Sequence, residues 1–105
     1  MLAMKYYDAA GRTAYLAGFH VAQALISEKL GRAVKTHRGV HAALYRLTKG
    51  DPRVDAELSA FLSRAYNLKA VADYETGPGS EVSPESATAA VATSKRFVDC
   101  IASLI

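Results

Sequence analysis

Apolar residues recur every three or four positions along most of the chain, which is the spacing of one face of an α-helix. This pattern predicts helices over residues 2–29, 36–48 and 54–74, and from residue 84 to the C-terminus. No segment sustains the alternation of apolar and polar residues that a half-buried β-strand shows. The sequence therefore predicts an all-α fold of four helices.

Local signals mark the ends of these helices. Gly31 follows the first helix, where a positive φ is needed, and Thr36 is a suitable N-cap for the second. Residues 49–52 form a predicted turn, and the glycine- and proline-rich residues 75–80 form a predicted exposed loop. Ser83 is followed by proline and glutamate, which is a well-formed helix start.

The first predicted helix is apolar on two sides. A helix of this kind lies in the centre of a bundle or is shared with a partner. One strip contains small residues that would let another helix approach closely: Tyr7, Ala10, Ala14, Ala17, Val21 and Ala24. A second strip lies beside it: Tyr15, Ala22, Leu25 and Ile26.

Composition limits the class of protein. The chain has 105 residues, of which 50% are hydrophobic and 20 are alanine, so residues 1–105 are expected to form one helical domain with a packed core. Cys100 is the single cysteine, which excludes an intrachain disulfide and a multi-cysteine zinc site. No apolar run reaches the ~18–20 residues of a membrane span. We expect a soluble, cytoplasmic protein with no membrane partner.

The net charge of +3 is distributed unevenly. Residues 1–50 carry eight basic and two acidic residues, a net of +6, whereas residues 51–105 carry five basic and eight acidic residues, a net of −3. Between Lys29 and Lys49 there are six cations and no acid. Such asymmetry indicates either an anionic partner, such as nucleic acid or nucleotide, or pairing with the acidic half of another copy.

His37 and His41 stand four residues apart, a spacing that lets two imidazoles reach one metal ion. Zincin-type sites also need a glutamate beside the first histidine, but position 38 is arginine and further cations surround it. We therefore expect no metal. No phosphate-binding loop or ordered nucleophile motif is present, and no cofactor is expected.

The end of the third helix carries a set of polar residues at helical spacing. Tyr66, Lys69 and Asp73 share one side, and Asn67 and Tyr74 share another. One interpretation is a solvated face with a weak Lys69–Asp73 pair. The other is a polar cluster facing a cleft, in which the lysine binds phosphate and the tyrosines contact bases.

Five segments in this order resemble HEPN (higher eukaryote and prokaryote nucleotide-binding) domains: residues 7–10, 14–25, 35–40, 69–75 and 83–85. The resemblance implies an up-and-down helical bundle, usually dimeric. Many members act with a minimal nucleotidyltransferase in toxin–antitoxin pairs, and several are metal-independent ribonucleases whose R-x4–6-H motif is completed at the dimer interface. This chain has Asn67 and Ala72 where that arginine and histidine would stand.

The resemblance implies a nucleotide- or RNA-binding protein with a minimal nucleotidyltransferase partner. The expected site residues are Arg64, Lys69, Asp73 and Tyr74, with His37 and Arg38 as nearby phosphate contacts. The alternatives are a non-catalytic interaction module and, less favoured, a ribonuclease with a non-standard motif. In that last case His20 or His37 would supply the imidazole only if the fold brings it to the cleft.

Relatives commonly have another helix before the segment that begins here at Tyr6. A bundle without that helix exposes an apolar groove, and such grooves normally bind partners. We therefore expect a homodimer or larger homo-oligomer that uses the small-residue strip of the first helix.

Overall fold

The computed structural model describes residues 2–74 and 82–105, and within these ranges it contains four helices and no strand. The helices are α1 (Leu2–Leu30), α2 (His37–Thr48), α3 (Ala56–Tyr74) and α4 (Pro84–Leu104). The prediction of an all-α bundle is confirmed, with helix bounds correct to within two residues. Across the described ranges, no helix is long and apolar enough to cross a membrane. The loop predicted at 75–80 lies outside the described residues.

Capping side chains and glycine explain where the helices begin and end. The Thr36 and Ser83 hydroxyls each accept a backbone N–H bond of 3.0 Å, from Gly39 and Ser86 respectively. Gly31 has a φ of 68°, a conformation that costs glycine little. These predicted signals are confirmed. Asp55 caps α3, because its carboxylate accepts the Leu58 N–H at 2.8 Å.

Helix α1 is the central element of the fold. Its 29 residues make it about 43 Å long, which matches the longest dimension of the molecule, 43 Å. Helices α2, α3 and α4 all pack against it. The buried hydroxyl of Ser94 on α4 donates to the carbonyl of Ala14 at 3.2 Å. Of the two alternatives for the first helix, the structure shows the central position in the bundle.

The core uses the second apolar strip of α1 more than the first. Tyr15, Ala22, Leu25 and Ile26 are all buried. In the first strip Ala14 is buried, but Ala17 and Ala24 are exposed. The other three helices pack around the Tyr15 side of α1, so the small-residue strip borders α4 instead of filling the core. For the same reason Val91 on α4, an apolar residue, is 37% exposed.

Gly18 lets α1 approach α3 closely. A Cβ atom at this position would lie 2.5 Å from Cε2 of Phe61, which no real packing permits. The Phe61 ring has little room to move, because it is buried and its centroid lies 4.8 Å from that of Phe97. At Gly11, on the same helix, the nearest atom to an added Cβ would be 3.4 Å away, in Leu68.

We predict that Gly18→Ala lowers the free energy of unfolding by about 1–3 kcal/mol, the usual cost of overpacking a core. Gly11→Ala is the matched control and should be neutral or stabilising by up to about 1 kcal/mol, since alanine favours helix more than glycine does. Urea unfolding followed by circular dichroism measures both values. Equal effects of the two substitutions would contradict a close α1–α3 contact at Gly18.

Candidate functional site

The hydroxyl of Tyr15 lies between two histidine side chains. It is 2.6 Å from Nδ1 of His37 and 3.1 Å from Nε2 of His41. The tyrosine is fully buried in α1, whereas both histidines are half-buried in α2. A buried phenol needs a hydrogen-bond partner, and here it has two.

The connection between α1 and α2 fixes the position of these histidines. The Gln23 side-chain amide donates to the carbonyl of Val34 at 3.0 Å, which holds the connecting segment against α1. Thr36 then caps α2, so His37 becomes its first residue. His41 follows one turn later, and the two imidazoles therefore share one side of the helix.

Tyr66 on α3 completes the cluster. Its ring centroid lies 4.9 Å from that of His37, 5.4 Å from that of Tyr15 and 5.9 Å from that of His41. Phe19 packs against His37 from α1, with centroids 4.8 Å apart. Tyr66 remains 37% exposed. The histidine–tyrosine cluster, defined as Tyr15, His37, His41 and Tyr66, is thus built from three helices and presents rings to solvent.

Burial affects the titration of two groups in the cluster. Desolvation, together with the neighbouring Tyr66, raises the pKa of Tyr15 to about 12, so its hydroxyl stays protonated at physiological pH. Desolvation, together with the neighbouring His37, lowers the pKa of His41 below its usual value. The cluster therefore favours a neutral imidazole at position 41.

The structure brings some of the predicted site residues together and separates others. His37 belongs to the cluster, and the exposed Arg38 follows it on α2. Lys69 is half-buried one turn after Tyr66, on the same side of α3. The side chains of Asp73 and Tyr74 lie outside the described residues.

Arg64 lies on a different surface from His37. It lines a groove of about 400 Å³ between α3 and α4, together with Phe61, Leu68, Ala90 and Thr93. Two residues along a helix correspond to a rotation of about 200°, so Arg64 and Tyr66 point in nearly opposite directions. One compact site cannot contain both Arg64 and the histidine–tyrosine cluster within a single chain.

Because His37 and His41 are one helical turn apart, both can hydrogen-bond to the hydroxyl of Tyr15. Both imidazole nitrogens face the phenol oxygen, which occupies the space between them. Within residues 2–74 and 82–105, no three His, Cys, Asp or Glu side chains are grouped so that they could hold a metal ion. His20 is exposed, and its Nδ1 lies 3.2 Å from the side-chain oxygen of Gln23.

Cys100, the single cysteine, lies on α4. It is half-buried at the edge of the core, and its thiol donates to the carbonyl of Arg53 at 3.3 Å. The thiol therefore helps to hold the turn before α3 against α4.

Sequence reasoning missed Tyr15 and Tyr66 as partners of the histidines. The sequence contained one indication of this pairing. A tyrosine within an apolar strip needs a hydrogen-bond partner for its hydroxyl, and an i, i+4 histidine pair offers two such partners. The sequence does not give the angle at which α2 crosses α1. The pairing therefore becomes visible only in three dimensions.

We predict that the free energy of unfolding falls as the pH drops below about 6.5, the usual pKa of an unfolded histidine. The folded chain holds His41 at a lowered pKa, so the unfolded chain binds more protons in this range and gains stability relative to the folded one. Urea unfolding at several pH values between 5 and 7.5 measures the effect. His41→Asn should flatten this pH dependence, whereas His20→Asn, at an exposed position, should leave it unchanged. An unaltered slope in His41→Asn would contradict the assignment.

Comparison with known families agrees with this architecture. The model of the HEPN domain matches residues 1–104, almost the whole chain. No curated protein and no solved structure matches the chain. With a four-helix bundle and a family match over nearly its full length, the chain belongs to the HEPN-domain family.

Proposed function

We propose that the protein binds RNA or a nucleotide on the surface formed by His37, Arg38, Tyr66 and Lys69. The observation that carries this proposal is the contact between the His37 and Tyr66 rings, 4.9 Å apart on a surface that is open to solvent. Solvent-accessible aromatic and imidazole rings are the groups on which unpaired bases stack. Membership of the HEPN family supports a nucleotide-related role for this surface.

The charge around these rings suits a phosphate backbone. Arg38 is exposed next to His37, and Lys69 follows Tyr66 by one turn of α3. Between residues 29 and 49 the chain has no carboxylate to repel phosphate. Cations beside exposed rings combine backbone contacts with base stacking, which is the usual arrangement for single-stranded nucleic acid.

The ribonuclease alternative has one observation in its favour. Ala72 occupies the position at which the family motif would have histidine, yet the fold places the imidazoles of His37 and His41 against the same helix, α3. Two imidazoles can serve as general base and general acid in phosphodiester cleavage without a metal. Cleavage of RNA in the presence of EDTA, lost in His37→Asn, would support this activity.

The other alternative is a non-catalytic interaction module in which the cluster only fixes the packing of α1, α2 and α3. Under this alternative the exposed Arg38 and Arg64 do not contact nucleic acid. Their replacement would therefore leave the measured affinity for nucleic acid unchanged.

The proposed assembly is a homodimer that acts in the cytoplasm with a minimal nucleotidyltransferase, as in toxin–antitoxin pairs. Two adjoining grooves between α1 and α4 support a contact between copies. One, of about 360 Å³, is lined by Ala10, Ala17 and Val91, and the other, of about 630 Å³, by Tyr6 and Val91 among others. Tyr6 is 70% exposed, and exposed apolar surface of this kind favours association.

We predict that Arg38→Ala weakens the binding of a fluorescein-labelled single-stranded RNA by several-fold. The slope of log affinity against log salt concentration should also become shallower by about one, because one phosphate contact is lost. Tyr66→Leu should cost about 1–3 kcal/mol of binding free energy through lost stacking. Fluorescence anisotropy at two salt concentrations measures both effects.

Arg64→Ala is the matched control for the RNA experiment. It removes the same charge from an exposed helical position, but on the α3–α4 groove. Its affinity should equal that of the unaltered protein. A loss in Arg64→Ala with none in Arg38→Ala would place the ligand in the α3–α4 groove and contradict the proposed surface.

We predict a mass of twice the 11.2 kDa chain, or a larger multiple, by light scattering at micromolar concentration. Ala17→Glu should shift the protein towards monomer, because it places a charge in the α1–α4 groove. Ala42→Glu, at an exposed position of α2, is the control and should not change the mass. A monomer before any substitution would refute the dimer.

A further inference from the structure

The Tyr15 hydroxyl carries one hydrogen and faces two imidazole nitrogens. In the neutral cluster, one imidazole donates its N–H to the phenol oxygen, and the hydroxyl donates its hydrogen to the other imidazole. Both contacts, at 2.6 and 3.1 Å, are then satisfied. Which histidine is the donor depends on the tautomers, and either arrangement satisfies all three groups.

Counting hydrogens shows how many protons this arrangement accepts. When one imidazole is protonated, it donates to Tyr15, and the hydroxyl donates to the other, neutral imidazole. When both are protonated, both nitrogens are donors, and the Tyr15 hydrogen has no acceptor. Because Tyr15 has no exposed surface, water cannot supply one. A second proton therefore leaves the buried Tyr15 hydrogen without an acceptor, a cost that the first proton does not carry.

The sequence around the cluster supplies no carboxylate that would favour the second proton. No aspartate or glutamate lies within four residues of Tyr15, His37, His41 or Tyr66 in the sequence. The charged and titratable residues within that distance are Arg12 on α1, Lys35, Arg38 and Tyr45 in and before α2, and Arg64 and Lys69 on α3. The carboxylate of Asp8, two turns before Tyr15, accepts the Val82 N–H at 3.1 Å.

His37 links the cluster to the proposed ligand surface. It is the first residue of α2, and its ring contacts those of Phe19 and Tyr66. A change at the bond between His37 and Tyr15 therefore acts on the rings and on Arg38, the next residue of the helix. The protonation state of the cluster and the geometry of this surface depend on the same contacts.

We propose that the histidine–tyrosine cluster is a one-proton switch that regulates ligand binding. This inference rests on the proposed function, because it concerns the same surface. With one proton bound, the cluster is intact and cationic, and it binds the phosphate of RNA or a nucleotide more tightly than the neutral form does. With two protons bound, the bridge between α1 and the start of α2 opens and affinity is lost.

Titration of the imidazoles by ¹⁵N NMR in the ligand-free protein tests the switch without any ligand. His37 and His41 should take up their protons in two steps separated by more than about one pH unit, as coupled sites do. Tyr15→Phe, which keeps the ring and removes the hydroxyl, should bring the steps closer together. The His20 resonances, from outside the cluster, serve as the internal reference for the spectra of the two proteins. Coincident titration of His37 and His41 in the unaltered protein would overturn the proposal, even if Tyr15→Phe does not fold.

Anisotropy with the labelled single-stranded RNA, measured from pH 8 to pH 5, tests the coupling to binding. As the pH is lowered, the affinity for RNA should first rise by at most about tenfold per pH unit, which is the limit for uptake of one proton. It should then fall at the lowest pH, where the second proton binds. His41→Asn, which leaves one imidazole in the cluster, should keep the rise and remove the fall at the lowest pH, and His20→Asn should retain the whole profile. An unchanged pH profile in His41→Asn would overturn the switch while leaving RNA binding in place. Absence of RNA binding at every pH would instead refute the proposed function. The NMR titration would then still test whether the cluster takes up its protons in two steps.

Discussion

The hydrogen bonds of one buried phenol connect the fold of this protein to its candidate site. Tyr15 lies in the middle of the central helix with no exposed surface, so its hydroxyl must bond to protein groups. His37 and His41 supply those bonds, which holds α2 against α1. Tyr66 packs on the same rings from α3. The interaction that satisfies a core residue thus also arranges the half-exposed side chains of the surface.

Much of the fold was predictable, because it depends on short-range chemistry. Apolar spacing, the Thr36 and Ser83 caps and the positive φ of Gly31 gave four helices with nearly correct bounds. The burial of α1 was harder to predict, because both apolar strips are consistent with a central helix. Only the packing of the other helices decides that Ala22 is buried while Ala17 is exposed.

The candidate site shows the limit of helical spacing as evidence. Spacing placed Tyr66 and Lys69 on one side of α3, but it does not tell which residues of other helices meet that side. Arg64 was grouped with them by proximity in sequence, yet it lines the α3–α4 groove. The spacing of His37 and His41 is compatible with a metal pair, which the surrounding cations argued against, but it does not show that their nitrogens converge on a hydroxyl more than 20 residues away in the sequence.

The central claim is that an RNA or nucleotide contacts the surface around His37 and Tyr66. The most direct measurement is a ¹H–¹⁵N and aromatic ¹H–¹³C NMR titration of the protein with a short single-stranded RNA. We expect the resonances of the His37 and Tyr66 rings and of the Arg38 side chain to shift together, while those of Arg64 and Thr93 in the α3–α4 groove stay unchanged. Shifts confined to Arg64 and Thr93, or no shift at saturating RNA, would contradict the account.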